Sequence, residues 1–346
     1  MTIVPMPKAN PNLTWILPWS ALGLLLAIAA AVPWYSTFAV QRLLVEVMTL
    51  FAIALAWNLL AGYGGLIAVG LHAFVGVGAY ALFTLSNQFH LNPWVLLPAA
   101  GLVTALFALA SAWPMFRLSG AYFAVGTWVF AEMMRILTLN APWLGAGAGM
   151  PLEMMGEFDR WTRNAGVYWA AMLIGIGSLA LSRIVLRGPL GLALMSVRDS
   201  EPAARACGVA VARAKMVLWV LCAVMAGLAG AVAYMNTLQV TPDASFSLNW
   251  TAAAIFIAVL GGIGTIEGPI VGTIIYFLLR EMFSAYGAWY FIGLGSLAIV
   301  AMVAAPGGAL SLIPEEWRLD PFGIRRTMPK AHPACVGHPA PSQTDR

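Results

Sequence analysis

Apolar residues run through this chain in long blocks, not in short alternating stretches. A helix needs about 20 mostly apolar residues to cross a hydrocarbon core about 30 Å thick. Blocks of that length fall at roughly 15–34, 43–61, 93–113, 120–139, 167–186, 216–236 and 288–305. Each predicts one membrane-spanning helix. Two further blocks fit less simply. Residues 65–85 (GLIAVGLHAFVGVGAYALFTL) are long enough but rich in glycine, and they carry His72. Residues 251–282 are too long for one span and are interrupted from Gly261 to Pro269. They predict two short helices meeting at a break, either as two crossings or as a re-entrant pair.

Charge orients these blocks. Stretch 187–215 carries Arg187, Arg198, Arg205, Arg213 and Lys215 against Asp199 and Glu201, so it belongs in the cytoplasm. Stretch 140–166 carries Glu153, Glu157 and Asp159 against Arg160 and Arg163, so it belongs outside. One span, 167–186, separates the two, and the assignments agree. Counting outward gives ten crossings, or eight if 251–282 is re-entrant, with both termini cytoplasmic. The chain then divides into a cytoplasmic segment 1–14, a membrane domain 15–312, and a Pro-rich cytoplasmic tail 313–346 without fixed structure.

Composition fits lipid as the solvent. Hydrophobic types make up 61% and charged types 9%, against roughly 45–50% and about 25% in soluble domains. Mean hydropathy is +0.84. The net charge of +4 comes from the 187–215 stretch and the tail, which fits membrane orientation and excludes a nucleic-acid-binding surface. Cys207, Cys222 and Cys335 have no paired spacing. His332, Cys335 and His338 lie close together but within a Pro-rich stretch, and no metal site is expected. Ala29-Ala30-Ala31 resembles a cleavage site, but the apolar run is long for a signal peptide and another span follows at once. It reads as an uncleaved first span.

No hydrolytic or redox constellation is visible. The chain has no GxxxxGK[ST], GxSxG or HExxH. It is not expected to be an enzyme or to carry a cofactor, and ATP, if used, must be bound by another subunit. Charges inside spans are functional candidates because burying them in lipid costs at least a few kcal/mol. Glu132 and Arg135 are three apart and share a helical face, where they also satisfy each other. Arg42 and Glu46 are expected to pair likewise at a span entrance. His72 and Asn58 either line a pathway or hydrogen-bond between helices. Gly64-Gly65 leads a glycine-rich run to Tyr80, and Gly261-Gly262 leads a similar run to Tyr276. That is the pattern of an internal repeat with interrupted helices, or only the usual glycine richness of membrane helices. Ala223, Gly227 and Ala231 are spaced by four, as are Gly264, Gly268 and Gly272; each set marks a close-packing face if the chain is helical there.

Within 187–215, Asp199 and Ser200 are helix N-caps, Glu201 and Pro202 suit a first turn, Ala203, Ala204 and Ala206 favour helix, and Gly208 ends it. The result is a helix of about two turns over 199–208, too short to bury a core of its own and therefore expected to dock on a partner surface or to serve as a linker turn.

This stretch resembles the cytoplasmic loop of LivM-type permeases of the branched-chain amino-acid ABC importer family. Gly188, Pro189, Gly191, Ala193, Leu194, Val197, Arg198, Asp199, Ala203, Ala204, Gly208 and Val209 follow the family order. So do Gly65-Leu66 through Tyr80, Arg117-Leu118 with Gly120-Ala121-Tyr122, Phe130-Ala131-Glu132 with Arg135, Leu260 to Thr265 with Gly268-Pro269, and Pro306-Gly307-Gly308. The resemblance covers about 40–312. The outer loop departs from it at Ala146–Pro151, and Ala305 replaces a usual basic residue. The resemblance implies an all-α type II ABC importer permease paired with a LivH-type second permease. It further implies two cytoplasmic ATPase subunits, a periplasmic substrate-binding protein and a place in the bacterial inner membrane. Its substrates would be branched-chain or related small amino acids, in a family range that reaches urea and short amides. Arg198, Asp199, Ser200, Glu201, Ala203, Ala204 and Gly208 would form the ATPase-coupling helix. Asn58, Gly65, Gly70, His72, Glu132, Gly262 and Gly264 are the candidate pathway residues. The competing class is an ion-coupled secondary transporter of a small neutral solute, in which Glu132 would be the coupling carboxylate.

Overall fold

In lipid every backbone polar group needs a partner within the protein, so the apolar blocks fold as helices. The computed structural model describes residues 28–283 together with 293, 295, 296, 308 and 309. The expected segment 1–14, most of the first span (15–34), most of the last span (288–305), and the tail with His332, Cys335 and His338 lie outside the described residues. After helical turns at 28–35, helix α1 (Phe38–Asn58) continues through a wide π-turn at Leu59–Tyr63. Then come α2 (His72–Phe89), α3 (Pro93–Met115), α4 (Ala121–Leu139), α5 (Arg160–Arg187), α6 (Pro189–Asp199), α7 (Glu201–Ala206) and α8 (Val211–Thr237). The single turn α9 (Pro242–Ser245) precedes α10 (Leu248–Gly261) and α11 (Glu267–Phe283). Among the described residues, five helical segments are long and apolar enough to cross a membrane: Phe38–Tyr63, Pro93–Met115, Arg160–Arg187, Val211–Thr237 and Pro242–Gly261. Helices α2, α4 and α11 are shorter or more polar. The chain is an all-α polytopic membrane protein.

Short contacts tie the ends of these helices into two rims. Strand β1 (Met150–Pro151), after α4, pairs antiparallel with β2 (Gln239–Val240), after α8. Asn87, near the end of α2, donates to the Pro151 carbonyl at 2.8 Å. This rim holds Glu153, Glu157, Asp159 and Asp243, and we call it the acidic end. The opposite rim holds Arg117, Arg187, Arg198, Arg205, Arg213 and Lys215, the basic end. Trp34, Trp161 and Trp169 cluster at the acidic end, with ring centroids 5.5 to 6.3 Å apart. Trp169 donates to the Ala30 carbonyl at 3.0 Å, which seats the 28–35 turns on α5.

Helix α8 is the central post, packed by α1, α2, α3 and α5. Its small residues permit this: Ala223, Gly227 and Ala231 are buried as their spacing predicts. A Cβ on Gly78 would strike the Gly227 backbone, and one on Gly230 would strike the Val75 backbone. Trp219 fills the rest, edge-on to Phe74, Phe116 and Phe123.

The two irregular blocks are both helix, glycine break, helix. Residues 251–282 form α10 and α11, a tight antiparallel hairpin: Gly272 lies against the Ile257 carbonyl and Gly261 against that of Gly268. At about 1.5 Å per residue, the 14 residues of α10 span about 21 Å. Gly264 sits in the break at φ +79°, so it does not share a helical face with Gly268 and Gly272. In the first block, α1 ends in its π-turn, residues 64–70 run non-helically, and α2 begins only at His72. The extended stretch is held by Trp57, whose indole donates to the Ala68 carbonyl at 2.9 Å. The expected Arg42–Glu46 pair is replaced: Glu46 is bonded to Arg280 of α11. Packing brings that cation closer than the one on the same helix.

Candidate coupling loop and translocation pathway

The loop between α5 and α8 is two helices, where one was expected over 199–208. Gly188-Pro189 starts α6, because proline suits a first helical turn, and nothing stops it before Asp199. Asp199 therefore closes α6 and pairs with Arg198 at 3.1 Å; it does not cap the short helix. Ser200 does, accepting from the Ala203 N–H at 3.4 Å. Gly208, at φ +82°, ends α7. Its N–H donates to the Arg205 carbonyl and the Val209 N–H to that of Ala204, both at 3.0 Å, which is the Schellman arrangement. Glu201 accepts from Arg205 and from Lys215, each at 2.6 Å. Its hydrogen bond to Lys215, more than offsetting partial burial, holds its carboxyl below the usual range.

The short helix does bury a core, contrary to the expectation. Ala204 is only 3% exposed and packs with Val197, Val211 and Val209 of this chain. Ala204 therefore faces inward. The outward face is Pro202, Ala203, Arg205 and Ala206.

Arg198 leaves this loop and reaches the membrane helices. Its Nη1 donates to the Gly62 carbonyl, in the π-turn, at 2.7 Å. One turn back, Asn58 joins the π-turn to the second break: its Nδ2 donates to the Thr265 carbonyl at 2.7 Å, and its Oδ1 accepts from the Gly264 N–H at 2.8 Å. Gly62 abuts Gly264 so closely that a Cβ would come within 2.6 Å of the Gly264 nitrogen. Gly65 (φ +65°) lies beside the Arg198 side chain and Gly262 (φ +122°) turns the second break. Four of the candidate pathway residues, Asn58, Gly65, Gly262 and Gly264, thus gather at the basic end, where Gly65 lies against Arg198 of the coupling loop. Beside them lies a cavity of about 200 Å³ lined by Gly64, Gly65, Leu118, Gly120, Arg198 and Glu201.

Gly70 and His72 lie deeper, where the N-terminus of α2 sits inside the bundle. The Val69 and Gly70 N–H groups both donate to Thr127 Oγ1 of α4 at 3.2 Å. The His72 N–H donates to Thr251 Oγ1 of α10 at 3.0 Å, and its Nδ1 lies 2.9 Å from the same hydroxyl. His72 is a packed, hydrogen-bonded side chain at 1% exposure. Thr127 and Thr251 do not stand out in the sequence, because each apolar block carries other threonines as well: Thr138 in the first, Thr265 and Thr273 in the second.

Glu132 stands apart from both groups. Arg135 binds it through Nε and Nη2 and binds Asp243 of α9 at 2.6 Å. An ion-coupled carrier needs a carboxylate free to exchange its cation, and this one is clamped. It sits near the acidic end beside an apolar groove formed by Trp128, Val129, Met133 and Ile136.

Comparison with known proteins bears on this arrangement. Residues 39–311 match the family described as "Branched-chain amino acid transport system / permease component". The chain is 30% identical over 325 residues to the high-affinity branched-chain amino acid transport system permease protein LivM of Salmonella typhimurium, covering 85% of this chain and 75% of that protein. It is 30% identical over 328 residues to LivM of Escherichia coli, covering 86% and 76%. A more distant likeness, 26% over 220 residues, covers 58% of this chain and 68% of the ribose import permease protein RbsC of Escherichia coli. No solved structure matches. This chain, a multi-pass membrane protein, belongs to the permease-component family of branched-chain amino-acid transport systems.

Proposed function

We propose that this chain is the LivM-type permease subunit of an ATP-driven importer of branched-chain or related small amino acids in the bacterial inner membrane. It works with a LivH-type permease, two cytoplasmic ATPase subunits and a periplasmic substrate-binding protein. The basic end faces the cytoplasm. The outward face of α7 docks on an ATPase, which performs the hydrolysis; this chain supplies the path within its membrane domain, 15–312. Residues 313–346 form a cytoplasmic tail.

One observation carries the reading: Arg198 is bonded to the Gly62 carbonyl, and Asn58, four residues earlier on the same helical segment, is bonded to Gly264 and Thr265. It ties the loop that meets the ATPase to both glycine breaks, so a displacement of the loop is delivered to the irregular segments, where a gate can open without breaking regular helices. Asn58, Gly65, Gly262 and Gly264 form that inner gate, while Gly70, His72 and Glu132 lie farther along the path.

The test uses proteoliposomes holding the whole complex. Uptake of labelled leucine should require both ATP and the binding protein. Replacing Arg198 with alanine removes a hydrogen bond of a charged donor, worth about 1.5–3 kcal/mol, and should cut uptake at least about tenfold while ATP hydrolysis continues. Uptake driven by an ion gradient without ATP would refute the reading.

A further inference from the structure

Hydroxyl groups inside these helices are mostly returned to the protein. Thr104, Thr127 and Thr138 each donate to a carbonyl of their own helix, and Ser111 donates to Ala108 and accepts from Trp219. Two hydroxyls of α2 differ. The oxygens of Tyr80 and Thr84 are buried, and neither has a hydrogen-bond partner among the described residues. Tyr80 as a whole is only 5% exposed. A hydroxyl shut away from water without a partner is costly, so two of them on one helix call for an acceptor from outside the chain.

Both residues line one cavity. Spaced by four, they share a face of α2, with Cβ atoms about 5–6 Å apart. That face is the back wall of a cavity of about 290 Å³ between α2, α3 and α4. Val103, Phe107 and Met134 form its sides and Trp143 its roof at the acidic end. Helices α3 and α4 come together at Phe107 and Phe130, whose rings are 5.9 Å apart. Below this contact a second apolar groove, of about 550 Å³, continues between the same helices to Pro114 and Met115. From Val103 to Met115 the furrow runs about 18 Å along α3, against about 15 Å for the depth of one leaflet's hydrocarbon. Leu102 and Leu106 of α3 and Val129 of α4 are exposed along it, so it opens toward lipid.

Depth adds to this. Thr84 lies about 7.5 Å along α2 from its end at Phe89, and a headgroup layer is about 5–7 Å thick on each side of the bilayer. With the acidic rim at the membrane surface, Thr84 is level with the top of the hydrocarbon, where the acyl esters of a phospholipid lie, and Tyr80 is one turn deeper.

We propose that this furrow binds one phospholipid of the leaflet at the acidic end. An acyl chain lies between α3 and α4, past Phe107 and Phe130. The Thr84 and Tyr80 hydroxyls donate to the two ester carbonyls, which are carried on neighbouring glycerol carbons. A flexible chain fits where a partner's helix does not: a helix 10 Å wide would fill about 1,400 Å³ over this length, and each groove holds less than half of that. The proposal concerns a bound lipid, not the transported solute, and stands apart from the permease reading.

The test measures lipid binding to the purified full-length chain by native mass spectrometry. The probes are dioleoyl phosphatidylglycerol and its diether analogue, which has the same headgroup and chains but no ester carbonyl. The parental chain should bind the diester about tenfold more tightly, which two hydrogen bonds of ordinary strength supply. Lipid that merely coats the surface shows no such preference, and equal binding overturns the proposal. Tyr80→Phe with Thr84→Val removes both hydroxyls with little change of shape and strands no polar group, so it should keep the fold and bind the two lipids alike. A preference that survives in this variant places the ester elsewhere and overturns the proposal. Ala81, between the two in sequence, also lines the cavity. Ala81→Phe puts a ring into it and should weaken both lipids about tenfold; parental binding of both would put the acyl chain outside the furrow and overturn the proposal as well.

Discussion

At the scale of single residues, neighbours on the short helix α7 have opposite duties. Ala204 is packed against Val197 and Val211, while Ala203 faces out. Ala204→Asp buries a carboxylate with no partner inside this chain, which costs several kcal/mol; the expected result is poor insertion or yield, seen by immunoblot of membranes. Ala203→Asp should leave yield normal and abolish co-purification of the ATPase. Glu201 adds a pH dependence. Its bonds to Lys215 and Arg205 favour the charged form in the folded loop, and its folded pKa lies below the ordinary glutamate value of about 4.3. The loop's stability is therefore constant above that value and falls as pH drops through the lowered folded value. Fluorescence anisotropy of a dye on the exposed Cys207, with Cys335→Ser to keep the label single, should be flat from neutral pH down to about 5 and fall only below about 4. Pairings of this kind were half legible. Glu132 with Arg135 is read from a spacing of three, but Glu46 with Arg280 joins helices far apart in sequence, and a spacing rule chose Arg42 instead.

Elements were legible where they are regular. Within the described residues the apolar blocks from 43–61 to 216–236 fold as helices nearly in place, and the glycine-rich interruptions mark both breaks. What the glycines did not reveal is how each break is finished: a non-helical stretch before α2, a short hairpin turn before α11, and a π-turn between Asn58 and Gly64. Those outcomes depend on what lies opposite, such as Trp57 reaching Ala68 or Asn58 reaching Gly264. In the α5–α8 loop the start signal at Gly188-Pro189 opens a helix of its own, so the cap residues at 199–200 divide two helices and do not begin a single one. The close packing of α2 on α8 is testable. A methyl group at Gly78 would strike the Gly227 backbone, whereas one at Gly177 on α5 meets nothing within 4 Å. Gly78→Ala should lower stability by about 1–3 kcal/mol, read as a reduced melting temperature of the purified protein in detergent. Gly177→Ala should be neutral or slightly stabilising.

Over the whole molecule, the separation of a basic from an acidic end was visible in the sequence as two oppositely charged loops flanking one span. A labelling experiment tests which way it sits. Met155 is fully buried under the acidic-end loop, so the neighbouring exposed Gly156 is the better probe. In a chain lacking its native cysteines, Gly156→Cys should react with an impermeant thiol reagent added outside whole cells, and Ser200→Cys should not. The reverse pattern would invert the orientation.

The threonines at the foot of α2 carry a consequence for motion. Three backbone N–H groups at the start of that helix are answered by hydroxyls from two other helices, Thr127 on α4 and Thr251 on α10. Away from water, each N–H stranded by a parting of these helices costs several kcal/mol. Helices α2, α4 and α10 are therefore bound at the foot of α2 as one rigid block, and any transport stroke has to swing that block as a unit, hinging beyond it at the glycine breaks near the basic end.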